Sequence, residues 1–169
     1  MNGFFQTLKR PEYIHVLLNP LPVYGLCVGL IGLLIAILLR SQKAKIATLA
    51  IVFVSSAIAW PVYEFGEQAY DRVQAMTDSD GQAWLDEHKD RAEDLIYIFY
   101  ALAVLSAIAI AAPLKWPKSS MPLVIAVILL GAATLGTGGY IAYAGGKIRH
   151  REFRNEPTPP KKSAEEQQR

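Results

Sequence analysis

Charge is missing from four long stretches of this chain. No Asp, Glu, Lys or Arg occurs between Glu12 and Arg40, from Ile46 to Tyr63, from Leu95 to Leu114, or from Ser119 to Gly146. A helix needs about 20 apolar residues to cross a hydrocarbon core of about 30 Å. Because lipid cannot hydrogen-bond to backbone groups, such segments must pair their own N–H and C=O groups, as a helix does. The sequence therefore predicts four transmembrane helices.

Other absences exclude several classes of function. Cys27 is the single cysteine, so there is no internal disulfide, and without a Cys-x-x-Cys-His motif there is no covalent c-type haem. There is no nucleophile elbow and no His-Glu-x-x-His motif. Ionisable residues inside the spans and an internal repeat are also missing, which argues against an ion-coupled transporter. The net charge of +2 is too small to indicate nucleic acid as a partner. We interpret the chain as a non-enzymatic protein of the lipid bilayer.

The predicted fold is all-α: a four-helix transmembrane bundle of up-down-up-down topology. We expect one membrane domain over residues 1–150 and a disordered, proline-containing tail over 151–169. Between the second and third spans, residues 64–94 carry ten acidic and three basic residues, a charge of −7. This segment is predicted to be a helical hairpin outside the bilayer. The four spans are predicted at about 20–39, 46–63, 95–114 and 121–145.

Small residues recur at a spacing of about four on three of the spans. Such faces let helix backbones approach closely where lipid supplies no hydrophobic driving force. They predict packing inside the bundle, with a homodimer contact as the alternative. The residues are Gly25, Gly29 and Gly32 on span one, Ala103, Ala107 and Ala111 on span three, and Gly138, Ala142 and Gly146 on span four.

The short loops suggest an orientation in a bacterial inner membrane. We call side A the side with both termini and residues 64–94, and side B the side with loops 40–45 and 115–118. Side B holds five basic residues and no acid, which places it in the cytoplasm by the positive-inside rule. Both termini and loop 64–94 would then lie outside. Basic residues near the termini on side A favour the opposite orientation, which stays an alternative.

Two histidines and two glutamates are the candidate ligands. At about 1.5 Å of rise per residue, His15 and His88 are expected at similar heights above the side-A interface, with Glu64 and Glu67 in the same layer. Histidines and carboxylates that converge from separate helices are how bundles build metal and haem sites. A bis-histidine b-type haem at His15 and His88 is one version, and a divalent metal held by all four residues is another. An ordinary rim of polar residues without a cofactor is the simpler interpretation.

The order of these features resembles a bacterial membrane-protein family, domain of unknown function 2231. The family's first span begins with the motif His-Pro-x-x-x-His-x-Pro, of which His15 and Pro22 match the first and last positions, whereas Val16 and Pro20 differ. His88 is similar to the family's histidine before span three, and residues 138–146 are similar to its closing glycine- and tyrosine-rich motif. The resemblance implies four spans and an unassigned activity. Some relatives accompany c-type cytochrome modules, which implies respiratory or redox partners.

These observations lead to three ranked hypotheses. The first is an accessory, structural or assembly subunit of a membrane complex without a cofactor, whose helix faces and acidic hairpin contact a membrane-protein partner or a second copy. The second is a redox or metal-binding membrane protein with ligands at His15 and His88. The third is a small-molecule transporter.

Overall fold

The computed structural model describes residues 2–162, and within that range every regular element is a helix. A π-helical turn, Leu21–Gly25, precedes α3, and short 3₁₀ turns occupy Pro117–Ser119 and Arg151–Phe153. The α-helices are α1 (Asn2–Thr7), α2 (Pro11–Leu18), α3 (Leu26–Leu38), α4 (Gln42–Ala57), α5 (Ala59–Ala75), α6 (Ser79–Lys115) and α7 (Ser120–Arg149).

These helices join into four stretches that are long and apolar enough to cross a membrane. The helix α3 packs against α4 and α7, and α6 packs against α4 and α7, so consecutive stretches are neighbours in a four-helix bundle. The predicted all-α fold with four spans is confirmed. The stretches are Pro11–Leu38, Gln42–Ala75, Ser79–Lys115 and Pro117–Arg149.

Local chemistry determines where the helices begin and end. The Ser41 hydroxyl accepts a hydrogen bond from the Ala44 N–H (3.3 Å) and caps α4. The second stretch divides into α4 and α5 at Ile58, because Pro61 has no N–H to donate to the Ala57 carbonyl. The Asp78 carboxylate accepts a hydrogen bond from the Gly81 N–H (2.8 Å) and starts α6. The turn between α5 and α6 therefore lies at residues 76–78.

The ends of α5 and α6 form the helical hairpin expected at residues 64–94. Trp84 and Leu85 are buried there against Ala144 and Ile148 of α7. The Tyr70 hydroxyl donates a hydrogen bond to the buried Asp86 carboxylate across the hairpin. The bundle therefore continues beyond the charge-free stretches as packed helices with their own apolar core.

The sequence predicts a disordered tail, and its described residues, 151–162, contact the bundle. The Arg154 guanidinium donates to both Asp78 carboxylate oxygens (2.9 and 3.0 Å) and to the Lys147 and Ile148 carbonyls (2.7 Å each). The Glu156 carboxylate pairs with the Lys147 ammonium, which is buried over the ring of Trp84. These contacts fix the tail against the α5–α6 turn as far as the described residues extend, and 163–169 lie outside them.

The small-residue faces have different surroundings. An added Cβ at Gly29 would lie 2.8 Å from Val52 of α4, and one at Gly32 would lie 2.8 Å from Thr48, so this face packs tightly against α4. Gly25 likewise faces Ser55. On α6, Ala103 is buried, whereas Ala107 and Ala111 are exposed on the outside of the bundle. On α7, Gly138 is buried, Ala142 is exposed, and Gly146 lies near Phe153.

Candidate functional site

A cavity of about 990 Å³ opens at the side-A end of the bundle, between α2, α5, α6 and α7. Both His15 and His88 line it, together with Tyr13, Tyr63 and Tyr70. Protein sites for small molecules and cofactors have volumes of about 300–1,000 Å³. The cavity is therefore large enough for a cofactor, and the two candidate histidines share it.

His15 is held by the neighbouring helix α5. Its Nδ1 lies 2.8 Å from the Val62 carbonyl oxygen. One turn further along α5, Gly66 packs against the ring: an added Cβ would lie 3.0 Å from Nδ1 and 3.1 Å from Cε1. A hydrogen-bonded carbonyl and a residue without a side chain thus fix the position of the imidazole.

His88 has the same arrangement with α7. Its Nδ1 lies 2.9 Å from the Ile141 carbonyl oxygen. Gly145, four residues after Ile141, packs against the ring, where an added Cβ would lie 3.0 Å from Cε1 and 3.1 Å from Nδ1. Each histidine therefore donates to a carbonyl on the next helix and lies against the glycine one turn later.

The two imidazoles lie next to each other in the cavity. Their ring centroids are 6.3 Å apart, and their planes form an angle of 83°. A carbonyl can only accept, so each Nδ1 carries the hydrogen, and a neutral ring then has its lone pair at Nε2. Metal-binding histidines are commonly oriented by such a second hydrogen bond.

The spacing between the rings matches that of two imidazoles on one metal. A metal–nitrogen bond is about 2.0–2.1 Å long, and the ligating nitrogen lies about 1.2 Å from its ring centre, which separates the centres in a linear arrangement by about 6.4 Å. The centroid separation of 6.3 Å between His15 and His88 is close to this value. The ring separation is therefore compatible with a group that takes one imidazole on each side.

The two glutamates do not join the histidines as a ligand set. Glu67 lines the cavity, but its carboxylate pairs with the Lys89 ammonium at 2.9 Å. Glu64 lines a separate cleft between α5 and α6. Among the described residues, no group of three or more His, Cys, Asp or Glu side chains is placed to hold a metal ion. Of the four candidate ligands, His15 and His88 are the two that lie together.

Basic side chains surround the mouth of the cavity. Arg10, Lys89 and Arg149 line it together with His150. Glu12 also lines it, but its carboxylate pairs with Arg72 at 3.1 Å. Carboxylate groups of a bound ligand would be stabilised at this end by the arginines.

The tail is anchored electrostatically beside the site. The hydrogen bond from Arg154, followed by that from the Gly81 N–H, lowers the pKa of Asp78 from 3.8 to about 2. Contact with Asp90 raises the pKa of Lys162. Both shifts favour the charged forms, so the tail is anchored by ion pairs across the neutral pH range.

Sequence reasoning identified the two histidines but missed what orients them. Gly66 was not among the candidate residues, and Gly145 was noted only within the closing motif. A glycine one turn beyond the level of each histidine, on the following helix, is the available signal. This glycine can be recognised as a contact of the histidine only when the helix pairs and their register are known.

Comparisons with known proteins give no family for this chain. No protein-family model matches it, and no curated protein or solved structure is significantly similar to it.

Proposed function

We propose that this protein is a membrane-bound b-type cytochrome that holds one haem between His15 and His88. The observation that carries the proposal is the ring pair: 6.3 Å between centroids, with each Nδ1 bonded to a backbone carbonyl. The sequence alone placed an accessory subunit first, because rim histidines are common. We place the haem proposal above it because of the ring pair.

The surroundings support haem rather than a bare ion. Haem iron takes axial histidines, and the two rings here are the only ligands such a group needs from the protein. The tyrosines and glycines around the rings would contact a flat apolar macrocycle, and the arginines at the mouth would pair with its propionates. A bound haem supplies one-electron transfer. The chain's own residues hold the imidazoles in a fixed tautomer and surround the group with protein.

The absorption spectrum tests this proposal. Protein purified in mild detergent from haem-supplemented cells should show a Soret band and, after reduction, sharp α and β bands of a six-coordinate haem. His15→Ala and His88→Ala should each abolish that six-coordinate spectrum. His150→Ala is the matched control, because His150 also lines the cavity but bonds to Glu152 instead (2.9 Å), and it should keep the spectrum. Colourless wild-type protein that also fails to bind added haem would refute the proposal.

The cellular setting is part of the same proposal. We infer a bacterial inner membrane with loops 40–45 and 115–118 in the cytoplasm, which places the haem near the outer surface. The resemblance to domain of unknown function 2231 agrees with redox partners there. An electron-transfer role needs a donor and an acceptor, so a membrane-protein partner remains part of the proposal.

A further inference from the structure

A second cleft lies beside the haem cavity, between α5 and α6 on side A. Its volume is about 430 Å³. Trp60, Tyr63 and Glu64 contribute one wall, at positions i, i+3 and i+4 of α5. The other wall is formed on α6 at positions i, i+3, i+4 and i+7, by Glu93, Ile96, Tyr97 and Tyr100.

The lining has an unusual composition. Of its seven residues, four are aromatic, two are acidic and none is basic. The Tyr97 and Tyr100 rings meet edge to face, with centroids 6.0 Å apart. Lys89 approaches from outside the cleft, 3.5 Å from Glu93, but it is closer to Glu67 at 2.9 Å. The cleft therefore combines negative charge with several π faces.

This combination is suited to an organic cation. The faces of Trp and Tyr rings attract ammonium groups, and aromatic cages are the usual sites for quaternary ammonium ligands. Carboxylates add charge attraction and accept hydrogen bonds from a primary ammonium. An anion would be repelled by the two carboxylates. An uncharged apolar ligand would remove water from them without replacing its hydrogen bonds.

The position of the cleft indicates where such a cation would come from. Trp60 and Tyr63 end the charge-free part of the second span, so the cleft lies at the level of the lipid headgroups. Trp60 and Tyr97 are 60% and 69% exposed on the outer face of the bundle. The cleft is therefore open both to the membrane interface and to dissolved amines.

We propose that this cleft binds an organic ammonium group of the ethanolamine or choline class. The site is distinct from the proposed haem site, since neither His15 nor His88 lines it. Tyr63 lines both cavities, so an occupant would lie next to the helix turn whose Val62 carbonyl orients His15.

Tryptophan fluorescence provides the first test. Protein in phospholipid-free detergent is titrated with tetramethylammonium, choline or ethanolamine chloride, with potassium chloride as the salt control. We expect a saturable change that potassium does not produce. Trp60→Phe should remove the signal, and Trp116→Phe, which changes an equally exposed tryptophan (60%) on side B, should keep it. Removing both charges with Glu64→Gln and Glu93→Gln should weaken binding about fivefold or more.

Lipid competition identifies the source of the ammonium group. Native mass spectrometry of protein released from nanodiscs containing equal phosphatidylethanolamine and phosphatidylglycerol should show retained phosphatidylethanolamine, reduced in the double glutamine variant. Binding of free amines without that lipid preference would assign the cleft to a dissolved amine. If no amine gives more change than potassium, or if Trp60→Phe and Trp116→Phe respond alike, the proposal is wrong. A haem spectrum in the same samples reports separately on the proposed cytochrome.

Discussion

At the residue scale, two glycines and two carbonyls matter as much as the histidines they position. Gly66 and Gly145 allow the imidazoles to lie directly against α5 and α7, and the Val62 and Ile141 carbonyls determine which ring nitrogen carries the hydrogen. The histidines could be proposed from sequence, because helical rise places them at one height. The glycines could not, since they resemble the packing glycines of any membrane helix.

Replacing either glycine should therefore damage the site without unfolding the bundle. In Gly66→Ala the new methyl would lie 3.0 Å from the His15 ring, and in Gly145→Ala equally close to His88, so each ring must shift by a few tenths of an ångström and its bond to the carbonyl is disturbed. Loss of such orienting contacts typically weakens metal binding about 10–100-fold. We expect at least tenfold weaker haem binding in a spectroscopic titration and an altered low-spin EPR signal.

Gly139→Ala is the matched control for these variants, because an added Cβ there has no atom within 4 Å. It should bind haem as the wild type does and be slightly more stable, since alanine is the better helix former. Equal haem affinities in Gly66→Ala, Gly145→Ala and Gly139→Ala would show that the glycines do not position the histidines.

At the element scale, the hairpin formed by α5 and α6 and the tail beyond α7 hold each other in place. The length and charge of residues 64–94 predicted the hairpin, because both can be read from this segment alone. The tail was predicted to be disordered because its composition is charged and rich in proline. Its position depends on the contact between Arg154 and Asp78, which lie 76 residues apart in sequence. No local sequence pattern indicates such a contact.

The tail anchor should be sensitive to acid. Because the pKa of Asp78 is lowered from 3.8 to about 2, its contribution to stability is fully present above about pH 4 and is lost as the pH falls towards 2. Hydrogen exchange of residues 151–156, corrected for intrinsic rates, should stay constant between about pH 7 and 5 and increase below about pH 4.

A substitution at neutral pH should reproduce the acid effect. Asp78→Ala removes the acceptor of Arg154, so trypsin should cut after Arg151 and Arg154 faster than in the wild type. Asp80→Ala is the control, because Asp80 lies in the same helical turn and its described contact is with Ser79 (3.5 Å). If both variants are cut at the same rate, the Arg154–Asp78 contact does not anchor the tail.

At the scale of the whole molecule, two helical hairpins repeat one contact. In each, a histidine near the side-A end of the first helix donates to a carbonyl of the second helix and lies against the glycine four residues later. The sequence shows no internal repeat, and the charge-free stretches predict four spans but not which helices pair. The relation between the hairpins therefore becomes visible only in three dimensions.

The orientation of the whole bundle can be measured by cysteine labelling. In a Cys27→Ser background, an impermeant maleimide should label Ser79→Cys in intact spheroplasts, because the hairpin is proposed to lie outside. Gln42→Cys, at the start of α4 on side B, should react only after the membrane is permeabilised. The reverse pattern would place side A in the cytoplasm, as the basic residues near the termini favour.

Because each half of the chain contributes one imidazole, neither half can form the proposed pair of haem ligands by itself. In a molecule whose hairpins have inserted but not yet associated, each hairpin would offer only one histidine. The cofactor would then bind weakly or not at all. Haem would thus be retained only by molecules whose two hairpins have associated. The haem absorbance of the purified protein would therefore report the fraction of correctly assembled molecules.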